Sequence, residues 1–448
     1  MKAGCTKVDI TPPVGLPIGG NVREDNISRG IHDPLYANFL YIENNSQELL
    51  FIGMDLIGVY ESFVKDLKTR IESVSGIPYG NIAVIATHTH SGPDIFEAFQ
   101  DSLHPKVIEY VEQLKEKVVK GAEYCINNNF NASIGVGKCF EDTLSFNRRL
   151  FMKDGQLRMN WESIDPVQVD RPAGPIDPQI LVLSVKDEHD KVHAVFVNFT
   201  LHTAVLVGKD WLYSRDYVDS LTTYLQETID DKLIVLFANG AEGNINHINI
   251  HDPNQTRGFE ETDRIGGKLA YKISEILEKI VYCSDLVING YCKIISLPRR
   301  KVTKKQVKEA EALLERVNWK IPSLLDGVPE EAYAKEIIIL GNDPNTFVNA
   351  ELQVLQIGEV GFVSLPGEYF VEFGLELKKC SPFTHTFILG MTNGYIGYVP
   401  TEIAFKEGGY EVKTARTSQL QPDAGSKCVK EIVNMLTLLK GGVTKGGI

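Results

Sequence analysis

The sequence lacks any uninterrupted apolar run of the roughly 18 residues that a membrane-spanning helix needs. Its first twenty residues, MKAGCTKVDITPPVGLPIGG, lack the continuous apolar centre of a secretory leader and carry Pro12 and Pro13. Cysteine is scarce: seven residues, at 5, 125, 139, 283, 292, 380 and 428, are scattered, odd in number and form no Cys-x-x-Cys pair. That excludes a disulfide framework legible from spacing and points to a reduced, cytoplasmic compartment. Positive charge is in deficit, with 46 Lys and Arg against 59 Asp and Glu, a net charge of −13 and no basic run. Nucleic acid and anionic membrane surfaces are therefore not expected partners, and no stable membrane insertion is expected. What remains is an ordinary soluble composition, 43% hydrophobic and 23% charged over 448 residues, ample for a large core.

Strand and helix patterns alternate over residues 35–290, which predicts an α/β fold: mixed central sheet(s) flanked by helices, with the site at strand carboxyl ends. Ala37 to Glu43 and Glu48 to Met54 read as strands about an Asn44-Asn45-Ser46 turn. Helical spacing follows over Glu61 to Val74, then the apolar strand Ile82 to Ala86, then a helix from about Pro105 to Cys125. Ala132 to Gly137, a hairpin of Gln179 to Val185 with Val192 to Phe199, helices over Asp216 to Ile229 and Thr262 to Ile280, and the strand Leu233 to Ala238 continue the alternation. Residues 301–336 are charged and helical and read as an insertion. Beyond it come Glu351 to Ile357 and Phe362 to Leu365 as a hairpin, a helix over Phe370 to Lys378, the strand His385 to Leu389 and a last helix over Lys427 to Leu439. The tail from Gly441 reads as loose. No internal repeat is visible.

The chemistry concentrates where strands end. Ile82 to Ala86 runs into Thr87-His88-Thr89-His90-Ser91-Gly92-Pro93. On an extended strand, residues two apart share a face, so His88 and His90 are expected to converge on one point. One His-x-His is half a zinc coordination sphere. Other strand ends offer Asp55, His202, the run Asn239 to His247 with Glu242 and Asn246, Glu368, and the run Thr392 to Tyr398. Asp216, just before a helix, reads as a cap. Each alone is more often a cap or solvated loop residue; their recurrence among only ten histidines is what suggests a site.

On these motifs the chain resembles the neutral (alkaline, non-lysosomal) ceramidases. Thr87 to Pro93 resembles that family's THTHSGP signature, Val8-Asp9-Ile10-Thr11-Pro12 its opening strand, and Gly30-Ile31-His32 its GIH element. Phe146-Asn147-Arg148 resembles the pair that supplies a substrate-binding arginine, Pro366-Gly367-Glu368 the PGE, Asn393 to Tyr398 the N-x-Y-x-x-Y pattern, and Tyr410-Glu411 the YE. The resemblance implies Zn²⁺ held by His88, His202, Glu368 and Tyr398. It places His90, Arg148 and Tyr410 at the substrate, with Asp55 or His90 as orienter or general base and Asn246, Asn147 and His32 in substrate binding. Two imidazoles, a carboxylate and a phenolate suit zinc, which can activate water and polarise a carbonyl near neutral pH.

Two departures bear on the substrate. The family's G-D-x-S-P-N segment, with its serine, is here Gly243-Asn244-Ile245-Asn246-His247, and an amide cannot be an activated nucleophile. The chain is also expected to be one catalytic domain over residues 1–440, without the family's C-terminal immunoglobulin-like domain. The expectation is a zinc-dependent hydrolase cleaving an amide or related polar linkage in a small, soluble substrate. The alternatives are ceramide amidohydrolysis, a glycosidase-like reaction between carboxylates such as Asp55, Glu242 and Glu368, and a non-catalytic binding protein on the same scaffold. Oligomeric state is not legible.

Overall fold

The computed structural model describes residues 1–20, 25–96, 99, 103–206, 210–322 and 327–442. The far end of the glycine-rich tail, residues 443–448, lies outside the described residues. Eight strands run through a large mixed sheet: β1 (Lys2–Asp9), β2 (Tyr36–Asn44), β3 (Gln47–Met54), β4 (Ile82–Ala86), β5 (Phe130–Phe140), β6 (Gln179–Asp187), β7 (Val192–Phe199) and β8 (Ile234–Asn239). Their order across the sheet is β8-β7-β6-β5-β1-β2-β3-β4, and a ninth, two-residue strand, Tyr282–Cys283, pairs with β5. A second, four-stranded sheet holds β9 (Ile288–Pro298), β10 (Phe347–Ile357), β11 (Val360–Ser364) and β12 (His385–Leu389) in that order.

The helices cover outer faces. On the large sheet lie α1 (Glu61–Ser75), α2 (Pro105–Asn127), α3 (Tyr217–Thr228) and α4 (Phe259–Leu277). The hairpin α5 (Lys304–Arg316) and α6 (Glu330–Asn342) joins β9 to β10, and α7 (Val371–Cys380) and α8 (Ala424–Lys440) cover the small sheet. Periodicity explains the layers. Phe63, Leu67 and Ile71 of α1 and Val107, Val111, Leu114 and Val118 of α2 recur at helical spacing and pack on Phe39, Tyr41, Ile52 and Val84 of the sheet. Opposite residues of the same strands, Leu40, Phe51, Ile85 and Phe196, pack against Leu355, Phe362 and Phe387 of the small sheet. The result is four layers, helix on sheet on sheet on helix.

A repeated topology runs beneath the layers, although no sequence repeat announces it. In each of three units a first strand pairs antiparallel with a second, which forms a hairpin with a third; a helix then returns the chain to a fourth strand parallel to the third, and another helix follows. The units are β1-β2-β3-α1-β4-α2, β5-β6-β7-α3-β8-α4 and β9-β10-β11-α7-β12-α8. Parallel neighbours need a crossover connection, and in each unit a helix supplies it. Each unit also carries a long excursion between its first two strands: residues 10–35, 141–178 and 299–346. The charged helical segment read as an insertion is the third of these, and it extends to Asn342.

Both edge strands of the large sheet meet the segment after β12. Ala86 N–H donates to the Met391 carbonyl and Asn393 N–H to the Val84 carbonyl, while Gly390 N–H donates to the Asn239 carbonyl. The sheet therefore curls, and the carboxyl ends of β4, β8 and β12 come together.

Candidate metal centre and active site

Three imidazoles meet at those strand ends. His88 Nε2 lies 2.9 Å from His202 Nε2 and 3.4 Å from His90 Nε2, and one nitrogen from each ring lies within 4.8 Å of the others. The expected route to this convergence is corrected. β4 ends at Ala86, and His88 sits beyond it at φ 64°, so a left-handed turn, not an extended strand, aims the rings. Backbone hydrogen bonds fix that turn: His88 N–H to the Leu56 carbonyl, and His90 N–H to the Thr203 carbonyl.

The second nitrogens set the tautomers. His88 Nδ1 is 2.5 Å from the Ile57 carbonyl and His202 Nδ1 is 3.4 Å from that of Glu242. A carbonyl only accepts, so each Nδ1 carries a proton, and in the neutral rings each Nε2 presents a lone pair. Two lone pairs 2.9 Å apart repel unless a proton or a cation lies between them. Glu368 adds its Oε2 at 3.7 Å from both Nε2 atoms, and among the described residues that buried oxygen has no hydrogen-bond partner. These donors fit a divalent metal. Burial pushes His90 down to about 3 and His202 well below its ordinary value, the neighbouring imidazoles acting the same way. At His88 burial also lowers the pKa, but Glu368 and Glu242 outweigh it and hold the ring above its ordinary value.

Glu368 and Tyr398 are facing residues of a two-residue parallel ladder, Glu368↔Tyr398 and Tyr369↔Val399. The ladder closes tightly because Gly367 lies against the Gly397 carbonyl, where a Cβ would come within 2.5 Å. Burial would raise the Glu368 carboxyl, yet His88, Tyr398 and Arg148 together hold it below its usual value. Its other oxygen accepts from the Tyr395 hydroxyl at 2.9 Å. Sequence reasoning passed over Tyr395, although it is the first tyrosine of the N-x-Y-x-x-Y pattern.

Arg148 enters from the excursion 141–178. Phe146–Asn147 pairs with Ile245–Asn246, and Arg148 N–H donates to the Asn244 carbonyl. Its Nε donates to Glu411 Oε1 at 2.9 Å and its Nη2 to the Gly243 carbonyl at 2.7 Å. Trp161, Tyr398 and Tyr410 surround the guanidinium, with ring centroids 5.4, 5.5 and 5.6 Å away. Trp161 carried no sequence signal. Burial, with the charge of Glu368, pushes the Tyr410 phenol up to about 12, leaving it a neutral donor.

Other expected residues have structural duties. Asp55 is buried and accepts from Tyr36 N–H at 2.8 Å, Thr87 Oγ1 at 3.3 Å and Arg215 Nε at 2.7 Å. It thereby braces the turn leading to His88. Asn246 and Asn160 exchange a reciprocal pair of amide hydrogen bonds, both 2.7 Å. Asn147 donates to the Pro175 carbonyl and accepts from Arg149 N–H. His32 stacks on Phe259 with ring centroids 3.7 Å apart and contacts Asp33. Among the described residues none of these contacts reaches the histidine cluster. Asp216 does cap α3, accepting from Tyr217 N–H.

Glu242, by contrast, is fully buried, and among the described residues neither carboxyl oxygen has a hydrogen-bond partner. Burial pushes it up to about 8, opposed by His88 and reinforced by Glu368.

A layered α/β scaffold that gathers imidazoles and a carboxylate at strand carboxyl ends is the architecture of a metal-dependent hydrolase. Residues 1–245 match the family of neutral/alkaline non-lysosomal ceramidases (N-terminal region), and the chain belongs to that family of hydrolases. It is similar to the neutral ceramidase of Pseudomonas aeruginosa, 22% identical over 464 residues that cover 92% of this chain and 68% of the relative. The crystal structure of neutral ceramidase from Pseudomonas aeruginosa aligns with a TM-score of 0.76 at 19% identity, over 100% of this chain and 76% of that one. A structure described as ceramidase complexed with C2 aligns with a TM-score of 0.74 at 17% identity, over the same shares. The expected mixed α/β fold and family resemblance are thus borne out.

Proposed function

We propose that the protein is a zinc-dependent amide hydrolase whose metal is held by His88, His202, Glu368 and Tyr398. The observation that carries this reading is the pair of Nε2 lone pairs, 2.9 Å apart, facing the unpartnered Glu368 oxygen. When bound, such a cation supplies Lewis acidity toward a carbonyl and lowers the pKa of water to about 7. The chain's own groups do the rest. Arg148, held by Glu411 and the Gly243 carbonyl, has Nη1 left to donate to the oxygen of a scissile carbonyl as negative charge develops there. Tyr410, a neutral phenol against Arg148, is placed to add a second donor. His90 has a ring nitrogen at the same centre, 3.4 Å from His88 Nε2, and is the group we assign to take the proton from attacking water.

With Asn246 in the place of the family's serine and its amide bound to Asn160, attack is by water and no covalent acyl-enzyme forms. Of the reactions compatible with the site, amide hydrolysis is favoured because the similar protein of Pseudomonas aeruginosa bears the name neutral ceramidase. The substrate we favour is a short, water-soluble N-acyl amide, and residues 1–440 are read as one catalytic domain. Elemental analysis of purified protein tests the metal. About one zinc per chain is expected, falling severalfold in His88→Ala and His202→Ala, each of which removes one of roughly four ligands. Wild-type zinc content in both variants would remove the reading.

A further inference from the structure

The three topological units each bring groups to or beside the centre from the ends of their parallel strand pair, and the second unit places beside it a buried carboxyl, that of Glu242, near enough to His88 and Glu368 to act on their charge. After β3 and β4, the first unit supplies the Ile57 carbonyl and then His88 and His90. After β11, the third supplies Glu368, and after β12 it supplies Tyr395 and Tyr398. In the second unit His202 follows β7, and Glu242 follows β8 three residues beyond Asn239. Glu242 thus occupies the place in its unit that the histidine pair occupies in the first.

Its surroundings are built for it. Gly390, at the seam where the curled sheet closes, is where a Cβ would come within 2.5 Å of Glu242 Oε2 and 2.2 Å of the Gly240 carbonyl. The Glu242 carbonyl oxygen faces His202 Nδ1 at 3.4 Å, which places the backbone of Glu242 behind a proposed ligand. Burying a carboxyl with both oxygens unpartnered is unfavourable unless a cation or proton compensates it. Arg148 has two of its nitrogens engaged by Glu411 and Gly243. Asn239, Thr203 and the Thr87 carbonyl, which pack the same seam, bond one another instead.

We propose that Glu242 is a further metal-binding residue of this centre, a second carboxylate beside Glu368 whose charge is balanced by the bound divalent cation. The inference rests on the metal-dependent reading above. It makes the centre more oxygen-rich than a pair of histidines with one carboxylate. It also gives the metal-free protein a cost that the metal relieves. Removing the carboxyl should therefore weaken metal binding and leave the metal-free fold as stable as before or more so.

The test measures zinc affinity by competition with a chromogenic chelator, and the melting temperature with and without zinc, for wild type, Glu242→Gln and Glu242→Met. Zinc binding is expected to weaken about 10–100-fold in both variants. The zinc-induced rise in melting temperature should shrink, and the zinc-free melting temperature of Glu242→Met should equal or exceed that of wild type. Affinity within twofold of wild type in both variants overturns the proposal, as does a zinc-free Glu242→Met protein that melts well below wild type. Failure of the wild type to bind zinc would instead bring down the metal-dependent reading itself.

Discussion

Arg148 shows how much of the site depends on one side chain's shape. It is buried, and so is its partner Glu411, which also holds Arg149 through its second oxygen at 2.8 Å. A guanidinium can reach Glu411, the Gly243 carbonyl and a substrate oxygen from three different nitrogens; an ammonium offers a single point of charge. Arg148→Lys is therefore expected to lower kcat/KM on an N-acyl amide by about 10²–10³ with zinc content unchanged. Steady-state kinetics beside metal analysis check it, and activity within threefold of wild type would remove Arg148 from the reaction. A second residue controls acid stability. His247 Nδ1 is buried with no partner among the described residues, and burial pushes the ring down to about 4. An unfolded histidine titrates near 6.5. Between those values the unfolded chain takes up a proton that the folded chain refuses, so the neutral ring's contribution to stability is lost as pH falls from about 6.5 toward 4. His247→Gln should flatten that part of the melting-temperature profile, and an unchanged slope over the same window would contradict the assignment.

At the scale of elements, helix α1 and strand β10 are joined across the protein by charge. Lys68, fully buried, donates to Glu351 Oε1 at 2.5 Å, and the Tyr79 hydroxyl donates to Glu351 Oε2 at 2.7 Å. A broken buried pair leaves an uncompensated charge, so Lys68→Met is expected to cost about 3–5 kcal/mol. Lys68→Met combined with Glu351→Leu should recover much of that loss, and chemical denaturation of both variants measures it; a double variant no better than the single one would refute the pairing argument. Elements of this kind were readable to different degrees. The strands β2, β3 and β4 and the helices α1 and α2 were legible because apolar residues recur at the period of one buried face. β9 was not: most of its eleven residues are half-exposed or exposed, and its register with β10, from Ile288↔Ile357 to Pro298↔Phe347, holds it as a strand. Among site residues, those in the short motifs were legible. Trp161 and the closure of the sheet on Gly390 were not, because long-range pairing leaves no local period.

For the whole molecule the open question is what reaches the centre. The excursion 299–346 supplies a wall. Glu336 on α6, buried, accepts from Phe99 N–H at 3.0 Å and from Arg416 through its backbone and its guanidinium. Tyr333, one turn earlier, packs against Phe99 with ring centroids 6.1 Å apart. Phe99, beyond the histidines, is thereby tied through Glu336 to Arg416, beyond Tyr410. No helix of the described residues is long and apolar enough to cross a membrane, and the net charge of −13 opposes approach to an anionic bilayer. Drawing a long acyl chain out of a bilayer costs on the order of 0.8 kcal/mol per CH₂. Near the site, Phe96 packs against Tyr395, Phe99 against Tyr333 and Phe405 under Arg300. Short-chain N-acyl amides in free solution are accordingly expected to give a kcat/KM at least tenfold above that of long-chain ceramide in detergent micelles. The comparison needs one enzyme preparation, zinc-loaded, and a readout of released amine common to both substrates. Faster turnover of long-chain ceramide than of every soluble amide would reverse the substrate assignment while leaving the metal centre intact, since the two rest on different residues.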